Sequence, residues 1–258
     1  SRGQGYSMHV RILGGQGQGP QYMSSYLLDG RVAVDAGCLG FWETPSEQKP
    51  IRHIFLTHCH IDHVASLPLF LENVYEPSEP CVSVYGPPAC LQSVRQHLFN
   101  DVLWPDFEKL PSPEAPFVRM YGLQPEVPLE VEGLRITPVE VNHTVPAYGY
   151  LVEDHKTVAV FGGDSGPTDR IWELAAKLPG RKTALVEACF PNALEDLANA
   201  AKHLTPRMFE AELAKMPWAS HILAVHLKPR YRAQLELELR ELGDPRVRIA
   251  MVEGEYEI

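Results

Sequence analysis

The segment Thr57–His63 constrains the fold of this chain more than any other part of its sequence. It places three histidines and one aspartate, His58, His60, Asp62 and His63, within six residues. An apolar run that predicts a β-strand comes just before it, and one that predicts a helix comes just after it. On an extended segment, residues two apart point the same way, whereas adjacent residues diverge. Because imidazole and carboxylate together suit a hydrolytic metal centre, the pattern predicts ligands for two ions at the end of a strand.

Three later residues stand where further ligands are expected. His143, Asp164 and His226 each lie at or near the end of a β-branched or aliphatic run, where a strand passes into a loop. Taken singly, each has an ordinary explanation as a turn, cap or core residue. The order of these residues after the His-rich segment resembles the metallo-β-lactamase superfamily. That resemblance implies an α/β fold, a four-layer αββα sandwich with a metal site at one edge.

The resemblance also implies how the ligands divide. Seven side chains would form two sets, with His58, His60 and His143 around the first ion, Asp62, His63 and His226 around the second, and Asp164 between them. We expect two divalent transition-metal ions as cofactors, with zinc as the first choice and manganese or iron as alternatives.

Length and composition predict a single domain. A chain of 258 residues with 45% hydrophobic content can bury a full core in one domain, which we place at residues 8–258. The first seven residues, 1–7, have the character of a cloning remnant ahead of Met8. The glycine-rich stretch Leu13–Gly19 lacks the Lys-Ser/Thr ending of a phosphate-binding loop, so we expect a tight turn between strands.

The segment 100–133 is predicted to be a proline-rich insertion. It shows little periodicity, and loops of this length are usually functional or disordered. Four aromatic residues lie in it: Trp104, Phe107, Phe117 and Tyr121. Two roles stay open for them, either fixing the insertion to the body of the domain or stacking on a substrate ring.

Two further motifs narrow the resemblance. Glu187 is followed by His203-Leu204-Thr205-Pro206, and the insertion carries Leu103-Trp104-Pro105-Asp106-Phe107. Both are similar to the class II 3′,5′-cyclic nucleotide phosphodiesterases. His203 is then a candidate for donating a proton to the leaving ribose oxygen or for contacting phosphate, and its alternative role is that of a surface residue before a helix. We predict Asp62 and His203 as catalytic residues.

Charge separates the candidate substrates. The chain has 33 acidic and 23 basic residues, a net charge of −10, and the insertion is itself acidic. An RNA partner would favour a basic docking surface, so we expect a small phosphodiester instead of nucleic acid. The expected reaction is hydrolysis of 3′,5′-cyclic nucleotides to 5′-nucleotides by a hydroxide bridging two metals. A tRNA 3′-processing-type nuclease, another small-phosphodiester hydrolase, and a lactamase- or lactonase-like hydrolase are the alternatives.

Cysteine usage and hydropathy bear on location. The five cysteines are odd in number and lack C-x-x-C spacing, which favours a reducing compartment. No apolar run reaches the ~18 residues of a membrane span, so we expect no membrane partner. The cytoplasm is the expected location, with the periplasm left open if a signal peptide has been removed. A homodimer also stays open.

Overall fold

A computed structural model describes residues 7–14, 21–77 and 80–258. The expectation for the N-terminal remnant, apart from its last residue, and that for the glycine-rich turn therefore lie outside the described residues. Within this part of the chain, fourteen strands form two sheets. The first sheet contains β1 (His9–Ile12), β2 (Tyr26–Leu28), β3 (Val32–Val34), β4 (His53–Phe55), β5 (Val82–Gly86) and β6 (Val118–Gly122). The second contains β7 (Leu129–Val131), β8 (Leu134–Glu140), β9 (Tyr148–Glu153), β10 (Thr157–Phe161), β11 (Arg181–Glu187), β12 (His221–Val225) and β13 (Val247–Ile249). Strand β14 (Glu255–Glu257) returns to the first sheet.

The strand order puts several strand ends at one edge. The first sheet runs β14-β1-β2-β3-β4-β5-β6, and the second runs β13-β12-β11-β10-β9-β8-β7. Strands β3 to β6 are parallel to one another, as are β10 to β13. The two sheets are joined near the end of β4, where the amide of Tyr148 donates to the carbonyl of Thr57 (2.9 Å) and the hydroxyl of Tyr150 donates to that of Leu56 (2.6 Å). Loops at these strand ends are therefore brought together.

The helices cover the outer faces of the sheets. In chain order they are α1 (Pro45–Gln48), α2 (Ile61–Val64), α3 (Leu67–Val74), α4 (Pro88–His97), α5 (Arg170–Lys177), α6 (Glu195–Ala201), α7 (Pro206–Leu213) and α8 (Arg232–Glu241). Phe70 of α3 belongs to an apolar cluster with the first sheet, and Phe209 of α7 to one with the second. A third cluster, which includes Phe55 and Tyr150, lies between the sheets. Three apolar interfaces separate four layers, which confirms the predicted αββα sandwich.

Local signals in the sequence account for two boundaries. Asp29 and Gly30 join β2 to β3 with φ angles of 47° and 69°, the left-handed conformation that a two-residue hairpin turn needs. Thr205 caps α7, since its side chain accepts a hydrogen bond from the amide of Met208 (3.3 Å), and Pro206 occupies the first turn.

The structure differs from the sequence-based prediction in three places. The segment 100–133 is not a continuous loop, because it includes β6 and β7, one at the edge of each sheet. Strand β14 was not predicted. The helix predicted near 63–74 is divided into α2 and α3, so Asp62 and His63 lie in a short helix instead of a loop. All three missed strands lie at sheet edges, where one long side is unpaired and the burial pattern is weak.

Aromatic residues of the insertion fix it to the first core cluster. Phe107 is buried, and its ring stacks on Phe117 with centroids 4.2 Å apart and contacts Trp104 edge-on at 6.3 Å. Phe117 also stacks on Tyr75 at 4.0 Å. These rings therefore anchor the insertion, whereas Tyr121 remains 44% exposed. None of the helices among the described residues combines the length and apolar character of a membrane span.

Candidate metal centre

The first candidate ligand set is formed by His58, His60 and His143, whose ligand atoms lie close together. The Nδ1 atom of His60 lies 3.0 Å from Nε2 of His58 and 3.2 Å from Nε2 of His143. The loop after β4 supplies two of these rings, and the loop after β8 supplies the third. Three imidazole nitrogens that converge this closely form a ligand set typical of zinc or a similar ion.

The second set is formed by Asp62, His63, Asp164 and His226, whose ligand atoms also lie close together. The Oδ2 atom of Asp164 lies 3.3 Å from Nε2 of His63 and 3.2 Å from Nε2 of His226. It also lies 3.9 Å from Nε2 of His58 in the first set. Asp164 is therefore placed between the two sets, as the sequence comparison implied for a bridging ligand.

Buried polar atoms indicate that the site fits a cation. The Nε2 atoms of His63 and His226 are buried and have no hydrogen-bond partner among the described residues. Leaving such atoms unpaired is costly, and a metal ion would satisfy both. With carboxylates and imidazoles as the donors, the residues present fit a divalent metal.

The second nitrogen of four ligand rings is fixed by a neighbour. His58 Nδ1 lies 3.0 Å from Thr57 Oγ1, and His226 Nδ1 lies 3.0 Å from Ser24 Oγ. His143 Nδ1 donates to the carbonyl of Lys202 (3.1 Å), whose Nζ donates back to the carbonyl of His143 (3.0 Å). Such contacts hold the ring orientation and leave Nε2 free for a metal.

Asp35 fixes the fourth ring and was missed in the sequence analysis. Its carboxylate accepts a hydrogen bond from Nδ1 of His63 (2.7 Å) and two from Thr57, from the amide (2.7 Å) and the hydroxyl (2.8 Å). Asp35 is 1% exposed and follows β3 directly. An aspartate at the end of a buried strand was the available signal, but sequence does not show that it faces the loop after β4. Nothing in the sequence indicated that Ser24 and Lys202 contact ligand histidines.

Protonation in the site follows from burial and charge. Burial lowers the pKa of His58, His60 and His143, which keeps these rings neutral and available as ligands. Burial alone would raise the pKa of Asp164, but the charges of His226 and His63 outweigh it and hold that pKa well below its ordinary value. Asp164 is therefore ionised as a carboxylate between the two sets.

Three backbone segments also pack closely together beside the second set. A Cβ at Gly37 would overlap the carbonyl oxygen of Asp62, and it would meet the carbonyl of Ser24 at 2.8 Å. The amide of Ser24 donates to that same Asp62 carbonyl (2.8 Å), so the three segments meet at one point. Gly163, with φ +64°, turns the chain just before Asp164.

The predicted catalytic residue His203 lies at the edge of both sets. Its ring centroid is 5.1 Å from that of His143, and its Nδ1 lies 2.7 Å from the carboxylate of Glu187. Glu187 is 2% exposed and also accepts hydrogen bonds from the amides of Ser165 (2.8 Å) and Leu204 (3.2 Å). Burial lowers the pKa of His203, but the charge and hydrogen bond of Glu187 outweigh this, so that the pKa is raised overall. His203 is buried, unlike a surface residue before a helix.

Comparison with known proteins identifies the family. The model of a family described as a beta-lactamase superfamily domain matches residues 31–227. Ribonuclease Z of Pyrococcus abyssi is 30% identical over 106 residues, 40% of this chain and 31% of that protein. The 3′,5′-cyclic-nucleotide phosphodiesterase 1 of Saccharomyces cerevisiae is 24% identical over 249 residues, 78% of this chain and 66% of that protein. The aligned parts thus span less than two thirds of either relative.

Structural comparison agrees with the family match. A crystal structure of unliganded yeast PDE1 superposes with a TM-score of 0.78 at 17% sequence identity, covering 98% of this chain and 99% of that one. The shared architecture is the αββα sandwich, and the His/Asp clusters lie at one edge of its sheets. On the family match, which agrees with the fold, the chain belongs to the beta-lactamase superfamily.

Proposed function

We propose that this protein is a dinuclear-metal phosphodiesterase that hydrolyses 3′,5′-cyclic nucleotides to 5′-nucleotides. The observation that carries the proposal is the buried His203–Glu187 pair beside two ligand sets that share Asp164. A phosphodiester with a poor leaving group needs two activated centres and a proton donor, and this arrangement offers sites for all three.

Each of the two candidate ligand sets would hold one metal ion. His58, His60 and His143 would hold one ion, and Asp164 would be shared with the second set. Two divalent ions, with zinc favoured by the nitrogen-rich ligands, would polarise the phosphoryl oxygens and activate water near neutral pH. Asp62, predicted as catalytic, lies in the second set, with its Oδ2 3.7 Å from Nε2 of His226. We assign it to holding the ion.

The chain's own acid is His203. Glu187 engages Nδ1, which fixes the ring and leaves Nε2 as the nitrogen that can face substrate. Because a ribose alkoxide is a poor leaving group, proton donation from Nε2 to the departing oxygen would assist its release. Glu187 is a positioning residue in this scheme, since it acts through His203.

The relatives support a phosphodiester substrate. One is a cyclic-nucleotide phosphodiesterase that aligns with most of this chain, and another is a ribonuclease Z, so both are named for phosphodiester cleavage. Net charge favours the smaller substrate. A chain with a net charge of −10 repels RNA, whereas a cyclic nucleotide carries a single negative charge.

The second candidate is a tRNA 3′-processing-type nuclease. It is favoured by the alignment with ribonuclease Z, in which 30% of 106 residues are identical. A lactamase- or lactonase-like hydrolase, from a different reaction class, would make no use of a proton donor such as His203.

A turnover panel separates these functions. The zinc-, manganese- or iron-loaded protein is assayed on 3′,5′-cyclic AMP and GMP, bis-p-nitrophenyl phosphate, nitrocefin and a precursor tRNA. We expect turnover of the cyclic nucleotides and the activated diester. If the protein cleaves the diester but not the cyclic nucleotides, the cyclic-nucleotide assignment is wrong. If it prefers the precursor tRNA, the nuclease alternative replaces the proposal, and if it prefers nitrocefin, the lactamase-like alternative does.

Substitution of His203 tests the assigned acid. His203→Ala should lower kcat on a 3′,5′-cyclic nucleotide by ~10²–10⁴, but far less on bis-p-nitrophenyl phosphate, because p-nitrophenolate departs without a proton. Metal content should stay at the wild-type value. His155→Ala, at an exposed turn between β9 and β10, is the matched control. Equal losses on both substrates would make His203 a phosphate-positioning group instead of an acid.

A further inference from the structure

A cleft of about 280 Å³ opens beside the second ligand set. Asp62 and His226 form one end of it, so the cleft is continuous with the candidate metal centre. The remaining walls are formed by Gln21, Tyr22, Leu227, Lys228, Pro229 and Arg230. Its volume is at the small end for ligand sites, which suits one part of a substrate whose reacting group lies at the metals.

An exposed aromatic ring stands at this cleft. Tyr22 is 68% exposed and forms part of the wall. Every nucleobase presents a π-face, and exposed aromatic rings in nucleic-acid-binding proteins commonly serve as stacking platforms. The cleft therefore offers a stacking surface beside the second ligand set.

Two cations lie at the same cleft. The Nζ atom of Lys228 is 5.6 Å from the ring centre of Phe190, which in turn contacts His203, and the guanidinium of Arg230 is 5.5 Å from that of Tyr231. Neither cation has a carboxylate ion-pair partner within the described part of the chain. On a protein of net charge −10, such a pair raises the local concentration of an anionic ligand.

We infer that this cleft is the nucleobase subsite, in which Tyr22 stacks on the base and Lys228 and Arg230 attract the anionic substrate. The inference rests on the proposed function, since it assigns the non-reacting part of the same substrate. The protein would then distinguish a nucleotide from a sugar phosphate by direct contacts with the base.

Equilibrium binding of two probes to the metal-loaded protein tests this subsite. Calorimetric titration with 5′-AMP and with ribose 5-phosphate gives the ratio of their Kd values, which isolates the contribution of the base. We expect the wild type to bind 5′-AMP at least about tenfold more tightly. Tyr22→Ala should reduce that ratio about fivefold or more, and Tyr22→Leu, which keeps apolar bulk but removes the ring, about threefold or more.

The control is Tyr121→Ala, an aromatic side chain that is 44% exposed in a different cleft. It should leave the ratio unchanged, while the affinity of all variants for ribose 5-phosphate should stay within about twofold of the wild type. A wild type without preference for 5′-AMP, or cleft variants that keep the full ratio, would overturn the subsite. Failure of cyclic-nucleotide turnover alone would reject the proposed reaction, and the binding ratio would still decide the subsite.

Discussion

Replacing Asp35 by asparagine should weaken the second metal without unfolding the protein. The carboxylate accepts hydrogen bonds from Nδ1 of His63 and from the amide and hydroxyl of Thr57. An asparagine has one acceptor oxygen, which can keep the hydrogen bond from the Thr57 amide. Its NH₂ group then faces Nδ1 of His63. His63 would have to accept on Nδ1 and carry its proton on Nε2, the atom that lies 3.3 Å from Asp164. A protonated Nε2 has no lone pair for a metal.

The size of the effect follows from the role of such partners. Loss of a hydrogen-bond partner behind a metal ligand typically costs 10–100-fold in metal affinity, or about 1.4–2.8 kcal/mol. Asp35→Asn should show the larger loss for the ion of the second set, because Asp35 contacts His63 directly but reaches His58 only through the Thr57 hydroxyl. Calorimetric zinc titrations, with elemental analysis after dialysis at buffered free zinc, measure both affinities.

The matched control is Asp154→Asn. Asp154 accepts hydrogen bonds from the amides of Lys156 and Thr157, both at 2.7 Å, in the turn between β9 and β10. It should leave both affinities unchanged. Wild-type affinity for both ions in a folded Asp35→Asn protein would refute the orienting role, and equal weakening of both would show that Asp35 only stabilises the fold.

Three further predictions concern the metal centre. Asp164→Ala removes the oxygen between the two sets and should reduce bound metal, measured by elemental analysis, to one equivalent or less and turnover more than about 100-fold; near-normal turnover would contradict the bridging role. Gly37→Ala should lower zinc occupancy of the second set and the free energy of unfolding, measured by denaturant titration, because its Cβ overlaps the carbonyl oxygen of Asp62; an unchanged protein would contradict the close approach. Burial lowers the pKa of His58 and His143, so these rings protonate at a lower pH than ordinary imidazole. Metal should therefore leave the first set on the acid side only below about pH 6.5, with a loss of activity that excess metal partly restores; an acid loss that ignores added metal would point to another group.

Much of the candidate site was visible in the sequence because its ligands cluster along the chain. His58, His60, Asp62 and His63 lie within six residues, so their proximity needs no knowledge of the fold. His143 and His226 required the resemblance to a known family, because neither has a ligand as a sequence neighbour. The assignment of each residue to an ion is still a prediction.

Continuous runs of aliphatic and β-branched residues predicted most strands, since the central strands are buried along almost their whole length. Strands β6, β7 and β14 escaped because each lies at a sheet edge, where this pattern is weak. The two roles left open for the insertion aromatics were separated only by packing: Phe107 and Phe117 stack on each other inside the first core cluster.

What only the tertiary structure decided is the set of partners behind the ligands. Asp35 lies 28 residues from His63, Ser24 lies 202 residues from His226, and Lys202 lies 59 residues from His143. The sequence by itself determined the chemistry of the site, since imidazole and carboxylate donors are properties of residue type. Orientation of those donors is a property of distances across the fold, because hydrogen bonds act over about 3 Å while the residues that form them are far apart in the chain.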